Sequence, residues 1–136
     1  MTPDQASHKV IGLAIEVHRV LGPGLLESAY EEALCYELSH AKMNFRRQVD
    51  LPVVYKDIRL KCDYRIDPIV EGGLILELKA VEKILPVHKA QLLTYLKLTG
   101  ITLGLLINFN APILTEGLKR IVLRHPGSLR VFAPLR

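Results

Sequence analysis

A short apolar segment carries two charged side chains that could do chemistry together. Glu77 and Lys79 follow the apolar run 74–76 and are separated by one leucine. Side chains two positions apart on a β-strand point to the same face, so this carboxylate and this ammonium would project together. A Glu-x-Lys triplet arises by chance in roughly half of chains of this length. A structural ion pair is therefore one interpretation. The apolar strand and the glycine turn before it favour the other, a functional site.

A second carboxylate is predicted to face this pair. The segment 70–73 is typical of a tight hairpin turn, and with its centre near Gly72 the side chains of Asp67 and Glu77 would be opposed. Carboxylates so close repel each other unless a cation compensates, and Mg²⁺ or Mn²⁺ prefers such oxygen ligands. Lys79 would then orient a metal-activated water or stabilise developing negative charge. Asp63 is the alternative acid if this register is wrong.

Helical signals come before these strands. Thr2 and Pro3 are a capping hydroxyl and a first-turn proline, and apolar residues then recur at helical spacing until Gly22. A second helix is predicted over 25–41. These two helices would have to pack against the strand that carries the charged pair.

The remaining elements predict a mixed sheet. Alternating polarity indicates strands, and Pro86 and Gly100 are typical of the start and end of a third helix. Strand, helix and strand in this order form a crossover unit, so the strands on either side of that helix are predicted to be parallel. The predicted strands are 45–55, 58–68, 74–81 and 102–109, followed by a helical turn at 115–118 and an edge strand at 119–123. The fold class is therefore α/β, with a mixed α+β sheet.

Length and composition place one domain in these 136 residues. We expect its core over 8–123 and an extended tail over 125–136. No apolar run approaches the roughly 20 residues that span a bilayer, so no membrane partner is predicted. The first eight residues lack a secretory pattern, which predicts a cytoplasmic protein with Cys35 and Cys62 reduced.

Positive charge is concentrated in one part of the chain. The formal net charge is +4, and six basic residues fall between positions 46 and 65. A stretch of this kind suits contacts with phosphates, but a solvated strand face has the same composition. The six are Arg46, Arg47, Lys56, Arg59, Lys61 and Arg65.

Two motifs resemble a known family. Asp67 followed by Glu77-Leu78-Lys79 is similar to the motif of the PD-(D/E)xK nuclease superfamily, although Ile66 stands where some members have a proline. Residues 24–30, Gly-Leu-Leu-Glu-Ser-Ala-Tyr, resemble the motif that names the GxxExxY family within that superfamily. Segments 16–24, 64–67, 77–81, 88–95 and 105–109 resemble the family too, and the similarity extends over 10–122.

The resemblance implies a restriction-endonuclease-like core, with a helix, three strands, a crossover helix and a strand. It also implies that Glu27 joins Asp67 and Glu77 as a metal ligand, although an acid in the first turn of a helix is favoured by the helix dipole alone. Gln91 and Tyr95 resemble an element that some members place beside the catalytic lysine. A solvent-facing glutamine and a core-edge tyrosine would look the same in sequence.

The function implied is hydrolysis of phosphodiester bonds, in DNA rather than RNA, with Mg²⁺ or Mn²⁺ as cofactor. A second interpretation is a catalytically inactive module of the same fold that binds nucleic acid, a partner protein or a second copy of itself. A third is a hydrolase for nucleotides or small phosphate esters that uses the same metal site.

Overall fold

The described chain consists of three α-helices around a mixed β-sheet, which is the predicted α/β class. The computed structural model describes residues 1–61 and 64–123; Cys62, the alternative acid Asp63 and the predicted tail lie outside them. The elements are α1 (Pro3–Leu21), α2 (Glu27–His40), β1 (Phe45–Arg46), β2 (Val49–Leu51), β3 (Val54–Tyr55), β4 (Ile58–Arg59), β5 (Tyr64–Ile66), β6 (Ile69–Val70), β7 (Leu74–Lys79), α3 (Pro86–Thr99), β8 (Leu103–Asn108), a 3₁₀ turn (Leu114–Gly117) and β9 (Leu118–Val122).

Helix α1 begins and ends at the residues that its sequence predicts. The Thr2 hydroxyl accepts a hydrogen bond from the Gln5 N–H at 3.1 Å, and the Gln5 side chain accepts one from the Thr2 N–H at 2.9 Å. This capping box satisfies two N–H groups that the start of a helix leaves without partners. Gly22 ends the helix with a φ of 69°. Helix α2 begins two residues later than predicted, at Glu27.

The main sheet has the strand order β1-β6-β7-β8-β9. Strands β7 and β8 are parallel, and the other neighbours are antiparallel. The predicted parallel pairing across helix α3 is therefore confirmed. The predicted edge strand is also present, as β9, beside β8.

The prediction of two continuous strands, over 45–55 and 58–68, was wrong. The first breaks into three pieces, and Gln48 between β1 and β2 has a φ of 52°, which an extended strand does not allow. The second ends at Ile66, because Pro68 has no N–H to donate to a ladder. The antiparallel neighbour of β7 is therefore the short strand β6.

Strand β7 lies between two apolar cores. Leu74, Leu76 and Leu78 pack with residues of α1 and α2, whereas Ile75 packs with Leu92 and other residues of α3. This alternation follows from the period of two along a strand. Glu77 and Lys79 have the parity of Ile75, so the fold directs them to the α3 side of the sheet.

Candidate active site

Glu77 and Lys79 form a largely buried ion pair at the end of β7. Lys79 Nζ lies 3.7 Å from Glu77 Oε1, and the two side chains are only 17% and 16% exposed. A charged pair this sheltered loses much of its hydration, whereas most surface pairs stay in water. The predicted shared face of these two residues is therefore present.

The predicted hairpin register is correct at the turn. Ile69 pairs with Ile75 and Val70 with Leu74, and the Leu76 N–H donates to the Pro68 carbonyl at 3.0 Å, all centred on Gly72. Asp67 lies beyond the last ladder pair.

Asp67 contacts a cation. Arg47 Nε lies 3.4 Å from Asp67 Oδ1, and the same guanidinium contacts the carboxylates of Glu31 and Glu32. The hydrogen bonds that this guanidinium donates, above all to Glu31 and also to Glu32, are the main reason that the pKa of Arg47 is raised. Arg47 thus connects Asp67 to helix α2.

Glu31 connects Asp67 with the pair on β7. Burial raises the pKa of Glu31, Arg47 opposes that rise, and the neighbouring Asp67 adds to it. Burial is also the main reason that the pKa of Glu77 is raised; Lys79 opposes this, while Glu27 and Glu31 raise it further. Glu31 therefore acts on both Asp67 and Glu77, and Glu27 acts on Glu77.

Sequence reasoning missed Glu31 and the role of Arg47. Glu31 follows Glu27 by four residues, so both lie on one face of α2, and this spacing was the available signal. Arg47 appeared only as one member of the basic stretch. Its contacts join residues 16 and 20 positions away, which no local pattern indicates.

Tyr30 holds the turn that leads into Glu27. Its buried hydroxyl donates to the Gly22 carbonyl at 2.6 Å and accepts from the Leu25 N–H at 3.0 Å. The ring stacks on Phe109 with centroids 4.7 Å apart. The tyrosine of the motif at 24–30 therefore has a structural task, which is to fix the loop before Glu27.

Gln91 and Tyr95 reach the same region from α3. The Gln91 amide donates to the Tyr95 hydroxyl at 2.9 Å; Gln91 is exposed and Tyr95 is buried. Burial raises the pKa of Tyr95, Glu77 and Tyr64 add to the rise, and the Gln91 hydrogen bond opposes it. Tyr95 is thus a core residue and an electrostatic neighbour of Glu77, and its place in the site stays a prediction.

Asn108 fixes the chain immediately after Lys79. This 4% exposed side chain accepts from the Val81 N–H at 3.1 Å and donates to the Val81 carbonyl at 2.8 Å. In the ladder Asn108 is the partner of Lys79. The N–H and the carbonyl of Val81, just after β7, are therefore both held by a side chain of β8.

A comparison with protein-family models gives the family. The model of the PD-(D/E)XK nuclease superfamily matches residues 4–121, which is most of the chain. The chain belongs to the PD-(D/E)XK nuclease superfamily. No curated protein and no solved structure matches it.

The carboxylates of Asp67, Glu77, Glu27 and Glu31 are oxygen donors of the type that a hard divalent metal ion prefers. Nucleases of the PD-(D/E)XK superfamily are generally dependent on divalent metal ions, and Mg²⁺ takes carboxylate oxygens, often only one or two, together with water and substrate oxygens. Among residues 1–61 and 64–123, no group of three or more His, Cys, Asp or Glu side chains is arranged to hold a metal ion. The carboxylates fit the ion by type, while Arg47 occupies two of them.

No helix in the described part of the chain is long and apolar enough to cross a membrane.

Proposed function

We propose that the protein is a metal-dependent nuclease that hydrolyses phosphodiester bonds in DNA. The observation that carries the proposal is the sheltered Glu77–Lys79 pair beside the carboxylates of α2, in a chain of the PD-(D/E)XK superfamily. Residues 24–30 further favour membership of the GxxExxY group.

Asp67, Glu77 and Glu27 would hold Mg²⁺ or Mn²⁺. Such an ion supplies polarisation of a phosphate oxygen and a lowered pKa for a bound water. Glu31 contributes negative potential from the neighbouring turn of α2. Because Arg47 is held by Asp67 and Glu31, these two carboxylates become available to a cation only when the guanidinium moves away.

Lys79 would donate to the attacking water or to the negative charge that develops on the phosphate. Its ion pair with Glu77 and its low exposure keep the ammonium at one place, which makes that stabilisation effective. The Gln91–Tyr95 hydrogen bond would position the wall of the site on α3.

The test is cleavage of linear, nicked and branched DNA with Mg²⁺ or Mn²⁺ by the wild-type protein and by Glu77→Ala and Lys79→Ala. The matched controls are Glu82→Ala and Lys83→Ala, which alter an exposed acid and an exposed base just beyond β7. We expect the site variants to lose at least about a hundredfold in rate, since electrostatic stabilisers contribute on that scale, and the controls to cleave normally. Equal trace cleavage by wild type and Lys79→Ala refutes nuclease activity.

A second candidate is a module that binds nucleic acid, a partner protein or a second copy of itself without turnover. The observation in its favour is Arg47, which neutralises Asp67 and Glu31 as a bound cation would. Calorimetric titration with Mn²⁺ separates the two candidates. Binding that disappears in Glu77→Gln favours the enzyme, and absence of binding in both proteins favours the module.

A further inference from the structure

A small hairpin stands apart from the main sheet. Strands β3 and β4 pair only with each other among the described strands, with Val54 opposite Arg59 and Tyr55 opposite Ile58. We call residues 53–61 the hairpin tip. Every residue from 54 to 61 is exposed. The tip therefore contributes little to the core and is free to contact another molecule.

The hairpin tip presents apolar side chains to water. Tyr55 is 55% exposed and Ile58, directly opposite, is 64% exposed. Directly opposed residues project from the same face of a two-stranded ribbon. An aromatic ring and a branched aliphatic chain side by side at an exposed tip are typical of a surface that is buried against a partner.

The charge of the hairpin tip indicates what that partner is. It holds three basic residues, Lys56, Arg59 and Lys61, and one acid, Asp57, which leaves a net charge of 3 − 1 = +2. In the described chain, no ion pair joins Lys56 or Arg59 to a carboxylate. Lys56 Nζ instead lies 5.4 Å from the ring centroid of Tyr55. A cation beside an exposed aromatic ring matches a nucleotide, because the base stacks on the ring and the phosphate meets the cation.

The root of this hairpin reaches the candidate active site. In the β2–β5 pair Leu51 is opposite Tyr64, and Leu51 belongs to the same core as Tyr95 of α3. Tyr64 is 45% exposed and interacts electrostatically with Tyr95, as Glu77 does. A partner that follows the hairpin from its tip to the β2–β5 pair would therefore approach the Glu77–Lys79 pair.

We propose that the hairpin tip binds an unpaired DNA strand, with a base stacked on Tyr55 beside Ile58, one phosphate held by Lys56 and another held by Arg59 where the strand passes over the edge of the ribbon. The contact is independent of sequence, because every base has an aromatic face and every nucleotide a phosphate. It guides a single-stranded end or branch to Glu77, and in this last respect it rests on the proposed nuclease function.

The first experiment measures binding without cleavage. A fluorescently labelled single strand, the corresponding duplex and a duplex with a single-stranded overhang are titrated in EDTA, with fluorescence anisotropy as the readout. Tyr55→Ala should weaken binding of the single strand and the overhang by about tenfold, the effect of losing one stacked base. Tyr36→Ala removes a tyrosine that is 66% exposed on α2 and should bind as the wild type does.

The salt dependence separates stacking from charge. Removing one phosphate contact lowers the slope of log affinity against log salt by about 0.7 for a single strand. Lys56→Ala and Arg59→Ala should each lower the slope by that amount, whereas Tyr55→Ala should weaken binding with the slope unchanged. Lys119→Ala, an exposed base on the opposite edge strand β9, is the charge control.

Two results would overturn the proposal: wild-type affinity in Tyr55→Ala, or binding of the blunt duplex in preference to both substrates with unpaired strands. Failure of the nuclease function looks different. In that case Tyr55-dependent binding persists, but no cleavage depends on Lys79. If the hairpin proposal alone fails, cleavage depends on Lys79 while the hairpin variants bind and cleave normally.

Discussion

Glu77 is the residue at which stability and the proposed function conflict. Its carboxylate is sheltered at the end of an apolar strand, and burial raises its pKa above the ordinary value of 4.5. The folded state therefore binds this proton more tightly than the unfolded state does. The resulting stabilisation is present below pH 4.5 and is lost as the pH rises through the folded pKa. A bound cation would offset the loss.

The amide variant tests this conflict. In EDTA, Glu77→Gln should melt at a higher temperature than the wild type at pH 8, and the difference should disappear as the pH falls toward 4. Thermal unfolding by circular dichroism at several pH values measures it. Glu82→Gln, an exposed acid in the following loop, should show no such trend. A lower melting temperature for Glu77→Gln at pH 8 would mean that the ion pair with Lys79 outweighs the burial of the carboxylate.

A substitution at Tyr30 tests the importance of the turn before Glu27. Tyr30→Phe keeps the ring on Phe109 but leaves the Gly22 carbonyl and the Leu25 N–H without their partner. A typical hydrogen bond contributes about 0.5 to 1.5 kcal/mol, so losing these two should lower the free energy of unfolding by about 1 to 2 kcal/mol. Urea denaturation measures it. The control is the exposed Tyr36→Phe, and equal losses in the two variants would contradict the role given to Tyr30.

At the scale of elements, the sequence predicted the features that neighbouring residues determine, namely the turn and the face to which a strand residue points. The turn centre at Gly72 was predictable because two consecutive glycines, Gly72 and Gly73, favour a tight turn, and Gly72 does take a positive φ there; parity then placed Glu77 and Lys79 on one face. The break at Gln48 was not predictable, because nothing in its residue type requires a φ of 52°. The same limit applies to Arg47, whose partners come together only in the complete fold.

The 3₁₀ turn packs closely against the end of β8 at Gly117. A Cβ at Gly117 would lie 2.6 Å from the backbone oxygen of Asn108 and 2.9 Å from the Ala111 Cβ. The backbone oxygen of a strand residue cannot easily move, and Asn108 also anchors Val81, two residues after β7. The packing of this turn therefore bears on the position of Lys79.

Gly117→Ala should lower the free energy of unfolding by about 1 to 3 kcal/mol, which is typical of overpacking. The matched control is Gly12→Ala, since Gly12 lies within α1 and its Cβ would meet nothing within 4 Å. That variant should gain up to about 1 kcal/mol from better helix propensity. Urea denaturation of both proteins checks the prediction, and a shift of the same sign in the two variants would contradict it.

At the scale of the whole molecule, an acidic cluster lies within a protein of net charge +4. Arg47 moderates that cluster by holding Glu31 and Glu32 of α2 together with Asp67, which precedes β6. The Arg47 guanidinium thus joins α2 to the segment that precedes the β6–β7 hairpin. It also occupies Asp67, one of the three proposed metal ligands.

This double role predicts opposite effects of one substitution on stability and on metal binding. Arg47→Met should lower the melting temperature in EDTA, because Glu31 and Asp67 lose their counter-charge while remaining partly buried. It should strengthen Mn²⁺ binding by about tenfold or more. Unit charges 4 Å apart near a protein surface interact by about 4 kcal/mol, and removing a third of that repulsion is sufficient. Calorimetric titration with Mn²⁺ and thermal unfolding in EDTA measure the two effects.

The neighbouring Arg46→Met is the matched control, because Arg46 is exposed on β1. It changes the net charge equally, so any general effect of charge on Mn²⁺ binding appears in both variants. Added Mn²⁺ should restore the melting temperature of Arg47→Met, since a ligand that binds only the folded state stabilises it in proportion to RT ln(1 + [L]/Kd). If Arg47→Met instead binds Mn²⁺ more weakly than Arg46→Met, the guanidinium organises the carboxylates for the ion and does not compete with it.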